Sequence, residues 1–262
     1  MREPSVNITF IGAGNVAWHL APALENAGHV VQEVYSKTGR SAQKLVGKLY
    51  DAEVATDLDF SQSGSDLFII AIPDDEISAV SAEIILPDQS ILVHTSGAKP
   101  LEEIQVEAAS AIGVFYPLQT FSKNRKVSFD HVPFLIESNH KAAEKILVNI
   151  AKSISKNVQV VDSQRRGQLH VSAVFACNFT NHMMRISEQL LNDAQLDFDI
   201  LRPLIAETVE KSLLMKPSKS QTGPAMRGDL ETLDKHMKLL ESNSAYAEIY
   251  RLISQNILDT YA

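Results

Sequence analysis

Three observations predict an α/β chain, with a doubly wound N-terminal sheet domain followed by an all-α C-terminal domain. Strand and helix signals alternate from residue 6 to residue 161. The run 66–72 is almost continuously apolar, the mark of a parallel strand covered on both faces. From Gln164 to Ala262 there is no convincing strand pattern. The sheet domain is therefore expected over residues 1–161 and the helical domain over 162–262.

The first strand, 6–11, runs straight into Gly12-Ala13-Gly14-Asn15-Val16-Ala17, a G-x-G-x-x-A turn that opens an amphipathic stretch through Ala27. Gly12 lets the strand turn sharply. Gly14 removes the side chain that would hold a pyrophosphate away from the backbone, and Ala17 lets the helix pack close to the sheet. The helix N-terminus adds free N–H groups and a partial positive charge. This reads as the dinucleotide site of a Rossmann-type domain, against the plainer alternative of a tight strand-to-helix turn. A second strand follows at 30–36, then a helix at 41–49, a short strand at 52–55 and the apolar strand at 66–72. A helix at 75–86 and strands at 90–94, 111–116 and 132–136 come next, then a helix at 139–155 and a strand at 158–161. Such alternation predicts right-handed crossovers. Helical patterns then occupy 163–194, 197–215, 229–241 and 244–261, interrupted by a loop at 216–228 that holds two prolines and two glycines.

The end of the second strand selects the cofactor. An acidic residue there would accept from the ribose 2′-OH of NAD. The sequence instead reads Ser36-Lys37-Thr38-Gly39-Arg40, with no carboxylate and a cluster of donors. Such donors favour a 2′-phosphate, hence NADP. The alternative is a solvated turn before a helix that starts at Ser41.

Composition narrows the partners. A net charge of −8 over 262 residues offers no basic stripe for nucleic acid. The longest apolar run, 67–73, is too short to cross a bilayer. Met1-Arg2-Glu3-Pro4 leads directly into the first strand, so no leader is expected. The single cysteine, Cys177, sits among apolar neighbours and is expected to be a buried, inert thiol in a reducing cytoplasm. A small-molecule substrate fits this composition best.

Several segments together resemble a known superfamily. Gly12-Ala13-Gly14-Asn15-Val16, Ala71-Ile72-Pro73-Asp74 and His94-Thr95-Ser96-Gly97-Ala98 are similar to segments of pyrroline-5-carboxylate reductase, the β-hydroxyacid dehydrogenases and the deazaflavin-dependent NADP reductases. Tyr116-Pro117-Leu118-Gln119-Thr120-Phe121, Ala173-Val174-Phe175-Ala176-Cys177-Asn178 and 222–229 narrow the likeness. They resemble a bacterial family of provisionally assigned NADP oxidoreductases with a helical C-terminal domain of unknown function. The resemblance spans essentially the whole chain. It implies that Ile72 and Pro73 lie along the cofactor and that Ser96 and Gly97 stand where hydroxyacid dehydrogenases hold substrate. Those dehydrogenases carry a Lys and an Asn one turn apart on the first interdomain helix. If Asn178 is that Asn, Val174 occupies the Lys position. Tyr116-Pro117 falls where relatives often carry His-Pro.

Counted at about 100° per residue, the first long helix gathers His170, Asn178, Asn181, His182, Arg185 and Glu188 on one polar arc. His170 and Asn178 lie nearest its start, where a proton donor and an orienting amide could serve a carbonyl or imine. A structural role for His170 and a solvated face for Arg185 and Glu188 are the alternatives. Arg227, in a Gly- and Pro-rich loop, could clamp a substrate carboxylate or be a plain surface arginine. No ligand set suggests a metal. The expected function is NADPH-dependent hydride transfer to C=O or C=N, with Ser96, His170 and Asn178 acting on the acceptor and Arg227 anchoring it; a deazaflavin is a subsidiary acceptor. A non-catalytic NADP-binding sensor or scaffold is the rival, and a helical interaction module a third. Apolar positions such as Leu201, Leu204, Ile205, Val209, Leu213 and Leu214 suggest a homodimer through the helical domain, or an intrachain core.

Overall fold

A computed structural model describes residues 4–106 and 109–261; Met1, Arg2 and Glu3, on which the absence of a leader was argued, lie outside the described residues. The chain divides into two compact units, Met1–Cys177 and Asn178–Ala262.

The first unit runs β1 (Asn7–Ile11), α1 (Asn15–Asn26), β2 (Val30–Tyr35), α2 (Gly39–Val46), β3 (Glu53–Ala55), β4 (Leu67–Ile70), α3 (Ile77–Glu83), β5 (Ile91–His94), β6 (Ala111–Pro117), β7 (Phe134–Ser138), α4 (Lys141–Ile154), β8 (Val158–Val160) and α5 (Ser163–Ala173). The strands form one eight-stranded sheet in the order β3-β2-β1-β4-β5-β6-β7-β8. The order reverses between β1 and β4, which opens a crevice at the carboxyl ends of those strands. Alternate residues of β4 explain the apolar run. Leu67 and Ile69 pack in one layer with Leu20, Leu24 and Leu147, while Phe68 and Ile70 pack in the other with Ile77 and Ile84. Each face is sealed by helices, so neither can carry polar residues.

The parallel pattern holds through β6 and breaks at β7, which pairs antiparallel with β6 in the register Tyr116↔Leu135. A parallel return needs a crossover, usually helical. The connection 118–133 forms no helix and lies against α1 instead, with Phe121 stacked on the His19 ring at 5.7 Å and the Ser122 carbonyl 2.9 Å from His19 Nε2.

In the second unit α6 (Thr180–Asp193), α7 (Arg202–Met215), α8 (Pro217–Ser220), α9 (Leu230–Leu239) and α10 (Ser244–Tyr261) follow, with no strand among the described residues. The expected loop at 216–228 is shortened by α8. Asp229 caps α9 by accepting from the Thr232 N–H at 3.1 Å. Met183, Ile186 and Leu190 of α6 line an apolar cavity of about 330 Å³ with residues of α9 and α10. By contrast, α7 has no buried side chain. Cys177 is exposed, not buried as its neighbours suggested. Val171 and Phe175 are themselves 56% and 65% exposed, so apolar sequence here does not coincide with core.

Candidate functional site

The glycine turn between β1 and α1 forms one wall of a cavity of about 550 Å³. Gly12 has φ +111°, and a Cβ there would lie 2.3 Å from the Ala71 carbonyl oxygen. Only glycine fits, for reasons internal to the protein. Gly14 differs. A Cβ on it would meet only the Ala71 oxygen, at an ordinary 3.6 Å. Its bareness therefore leaves room for something other than this chain. Gly14 is also the N-cap of α1, whose first turn holds no acidic residue. Its free N–H groups and positive end are thus unopposed, the arrangement that suits an anion. The residues present fit a dinucleotide diphosphate.

Gly12, Ala13 and Gly14 line the cavity together with Ser36, Lys37, Ile72 and Pro73. Asn15 and Val16 begin α1 beneath the turn. At the β2 end, Ser41, rather than Thr38 or Arg40, completes the wall among the described residues. The Thr38 hydroxyl donates to Ser41 Oγ at 2.8 Å, and Arg40 is exposed in the first turn of α2. The β2 end carries no carboxylate, yet the opposite wall supplies Asp75 and Glu76. Lys37 Nζ reaches Glu76 at 3.3 Å, an exposed pair of small energetic weight that a 2′-phosphate could displace. Lys123, which the sequence did not single out, also lines the cavity.

Farther along the same edge, β5 ends at His94. Its Nδ1 accepts from the Ser96 N–H at 3.1 Å, and its Nε2 donates to the Pro100 carbonyl at 3.1 Å. Burial holds this imidazole neutral, lowering its pKa to about 4. Ser96 is buried, and its Oγ accepts from the backbone of Ala98 and Lys99 at 3.1 and 3.0 Å. It shapes the turn, which leaves only its hydroxyl hydrogen to give. Gly97 follows, packed so closely that a Cβ would lie 2.6 Å from both His170 Nδ1 and Tyr116 Cζ.

That space is filled by a dyad. Tyr116 Oη stands 3.1 Å from His170 Nδ1, with the rings edge to face. Burial raises the Tyr116 pKa, Asp74 adds to this, and Arg166 opposes it. One turn before His170 on α5 lies Arg166, fully buried. Arg166 pairs with Glu137 of β7, donates to the Lys99 carbonyl at 2.6 Å and bonds Ser163 Oγ at 3.0 Å. Ser163 in turn donates to Glu137 at 2.8 Å. The sequence reading missed Arg166; an arginine one turn before a candidate histidine was the available signal.

Thus Ser96, Gly97 and His170 are brought together, and Tyr116 joins them. Asn178 and Arg227 belong to the second unit, both exposed. Residues Val174–Phe179 form a π-helical turn. A constant 100° step does not carry through such a turn, so the polar arc drawn from His170 to Glu188 is not one continuous stripe. Among the described residues, no group of three or more His, Cys, Asp or Glu side chains could hold a metal ion, and no helix is long and apolar enough to cross a membrane.

Two family models match: a Rossmann-like domain over residues 1–113, and a domain of unknown function, DUF2520, over residues 132–257. The chain is similar to a provisionally titled NADP oxidoreductase of Bacteroides fragilis, with 37% identity, 97% of this chain and 98% of that one covered, and a TM-score of 0.89. A reductive aminase from Aspergillus terreus, solved with NADPH and ethyl levulinate, shares the fold at 14% identity, 98% and 95% coverage and a TM-score of 0.70. A pyrroline-5-carboxylate reductase from Coxiella burnetii does so at 17% identity, 98% and 97% coverage and a TM-score of 0.58. No curated protein matches the chain.

Proposed function

The chain belongs to the family that joins a Rossmann-like domain to the DUF2520 domain, and on that premise we propose that it is an NADP(H)-dependent reductase of a C=O or C=N group in a small metabolite. The observation that carries the proposal is the spatial order of the strand ends. The glycine turn follows β1, Ile72 and Pro73 follow β4, Gly97 follows β5, and Tyr116 closes β6, on neighbouring strands. Three strand spacings of ~4.8 Å take the series about 14 Å along one edge. A dinucleotide seated on α1 is thereby led toward the Tyr116–His170 dyad.

When bound, NADPH supplies the hydride. The protein's part is to hold and orient the cofactor and to place a proton donor at the developing charge. The Gly12–Gly14 backbone takes the diphosphate, Lys37 and Arg40 the 2′-phosphate, and Ile72 and Pro73 bound the cofactor's path. Tyr116, kept protonated by burial, gives its proton to the acceptor's oxygen or nitrogen, and a proton taken up from solvent and passed on through His170 Nδ1 restores it. Gly97 admits both rings.

Titration with NADPH and NADH, followed by turnover with a panel of imines and keto acids, tests this reading. Arg40→Ala should weaken NADPH and spare NADH; an equal loss for both refutes the 2′-phosphate assignment. If Asn178 matches the Asn of the related dehydrogenases, Val174 replaces their lysine, which favours the rival of an NADP-binding sensor. Tight NADPH binding without turnover of any acceptor would select it. The second unit is proposed to pair with another copy through α7, because a 14-residue helix with no buried side chain is not stable uncovered. A monomer by sedimentation would end that proposal.

A further inference from the structure

Lys123 comes from the β6–β7 connection, far in sequence from the motifs that mark the nucleotide cavity. Its ammonium donates to the Ala13 carbonyl at 2.9 Å, in the middle of the glycine turn, and lies 4.9 Å from the centre of the Trp18 ring. The preceding residues fix it there. Phe121 stacks on His19, and the Ser122 carbonyl meets His19 Nε2, so three consecutive residues grip the first turns of α1.

A second lysine on the same indole offers a contrast. Lys48 Nζ lies 4.0 Å from the Trp18 ring centre and donates to the Trp18 carbonyl at 3.3 Å. Its task is structural. Pro22, inside α1, has no N–H to give that carbonyl four residues back, and Lys48 supplies the missing donor. Lys123 repairs no such gap in a helix. It lines the cavity that Gly12 and Gly14 line, and among the described residues no carboxylate forms a salt bridge with it. An ammonium has three donors, of which Ala13 takes one.

We propose that Lys123 is a diphosphate-binding residue, turning its remaining donors to the dinucleotide on the Trp18 side of the glycine turn. The inference rests on the reading that this cavity takes NADP(H). It assigns Lys123 to the diphosphate and not to the 2′-phosphate because its anchor is Ala13, after β1, whereas the 2′ end falls to Ser36 and Lys37, after β2. The ammonium and the α1 N-terminus then act on the same two negative charges.

Trp18 is the chain's only tryptophan, so its emission reports binding directly. Lys123→Ala should weaken NADPH, NADH and ADP by a common factor of about 10- to 100-fold, the weight of a hydrogen bond to a charged group. Lys123→Arg should recover most of that loss. Affinity for 2′-AMP, which lacks the diphosphate, should not change. A loss confined to NADPH and 2′-AMP would move Lys123 to the 2′-phosphate and overturn the assignment. So would unchanged affinities, or an equal loss in Lys48→Ala. A wild-type protein that binds neither dinucleotide defeats the nucleotide reading itself, an outcome visible before any variant is made.

Discussion

Arg166 and His170 stand one helical turn apart on α5, the guanidinium of the first buried and the ring of the second set against Gly97 and Tyr116. The same guanidinium ties α5 to β7 through Glu137 and to the turn after β5 through the Lys99 carbonyl. Three elements that converge on the dyad thus share one ion pair.

Arg166→Met should be costly, because it takes from Glu137 its buried cationic partner and from the Lys99 carbonyl its donor. A broken buried pair costs about 3–5 kcal/mol, which lowers Tm on the order of 10 °C. Pairing it with Glu137→Leu should restore part of the loss. A single variant that melts within about 2 °C of wild type would show that the network does not bear on stability.

The dyad predicts a different pattern. Tyr116→Phe keeps the ring and removes the proton, so kcat should fall about 10²- to 10⁴-fold with NADPH affinity intact. His170→Ala should lower kcat as well, and the double variant should be little worse than Tyr116→Phe alone, as for groups acting in one unit. Since burial raises the Tyr116 pKa, loss of activity from phenol ionisation should appear only above the ordinary value of 10.0. A Tyr116→Phe enzyme with full kcat would remove the phenol from the chemistry.

The two glycines of the turn should separate stability from binding. Gly12→Ala forces an alanine to φ +111° and into the Ala71 carbonyl, so it should lower stability by about 1–3 kcal/mol or more. Gly14→Ala meets no clash within the protein and should melt as wild type does, yet bind NADPH far more weakly. Denaturation and fluorescence titration of both variants check this; intact NADPH affinity in Gly14→Ala would contradict the role given to that position.

His94 should make stability depend on pH. Its folded pKa is about 4 against 6.5 for the free side chain, so the unfolded chain binds the extra proton throughout that window. Stability therefore falls as pH drops from 6.5 toward 4, by about 3 kcal/mol in all. Burial lowers the His29 pKa too, which adds a loss of the same sign. Urea unfolding across this range should show the slope, and His94→Gln should flatten it. An unchanged slope in that variant would assign the effect elsewhere.

The local rules of the chain were enough for most of the first unit. Period-two and continuous apolar runs mark strands, and a glycine forced to positive φ marks the turn after β1, because each is dictated by neighbours a few residues away. The same holds for Asp229 as a cap and for the Glu231–Lys235 pair. Long-range partners left no such trace. The antiparallel return of β7 follows from where 118–133 packs. Lys123 reaches Ala13 across 110 positions, and Tyr116 meets His170 across 54. Arg166 looked like any charge on an amphipathic helix until the fold closed over it. Sequence by itself determined which segments are strand or helix and where an anion could be cradled. Only tertiary structure decided which cation joins that turn and which phenol and imidazole meet beside Gly97, since closing a loop of many residues is specified by packing and not by the pattern of any one segment.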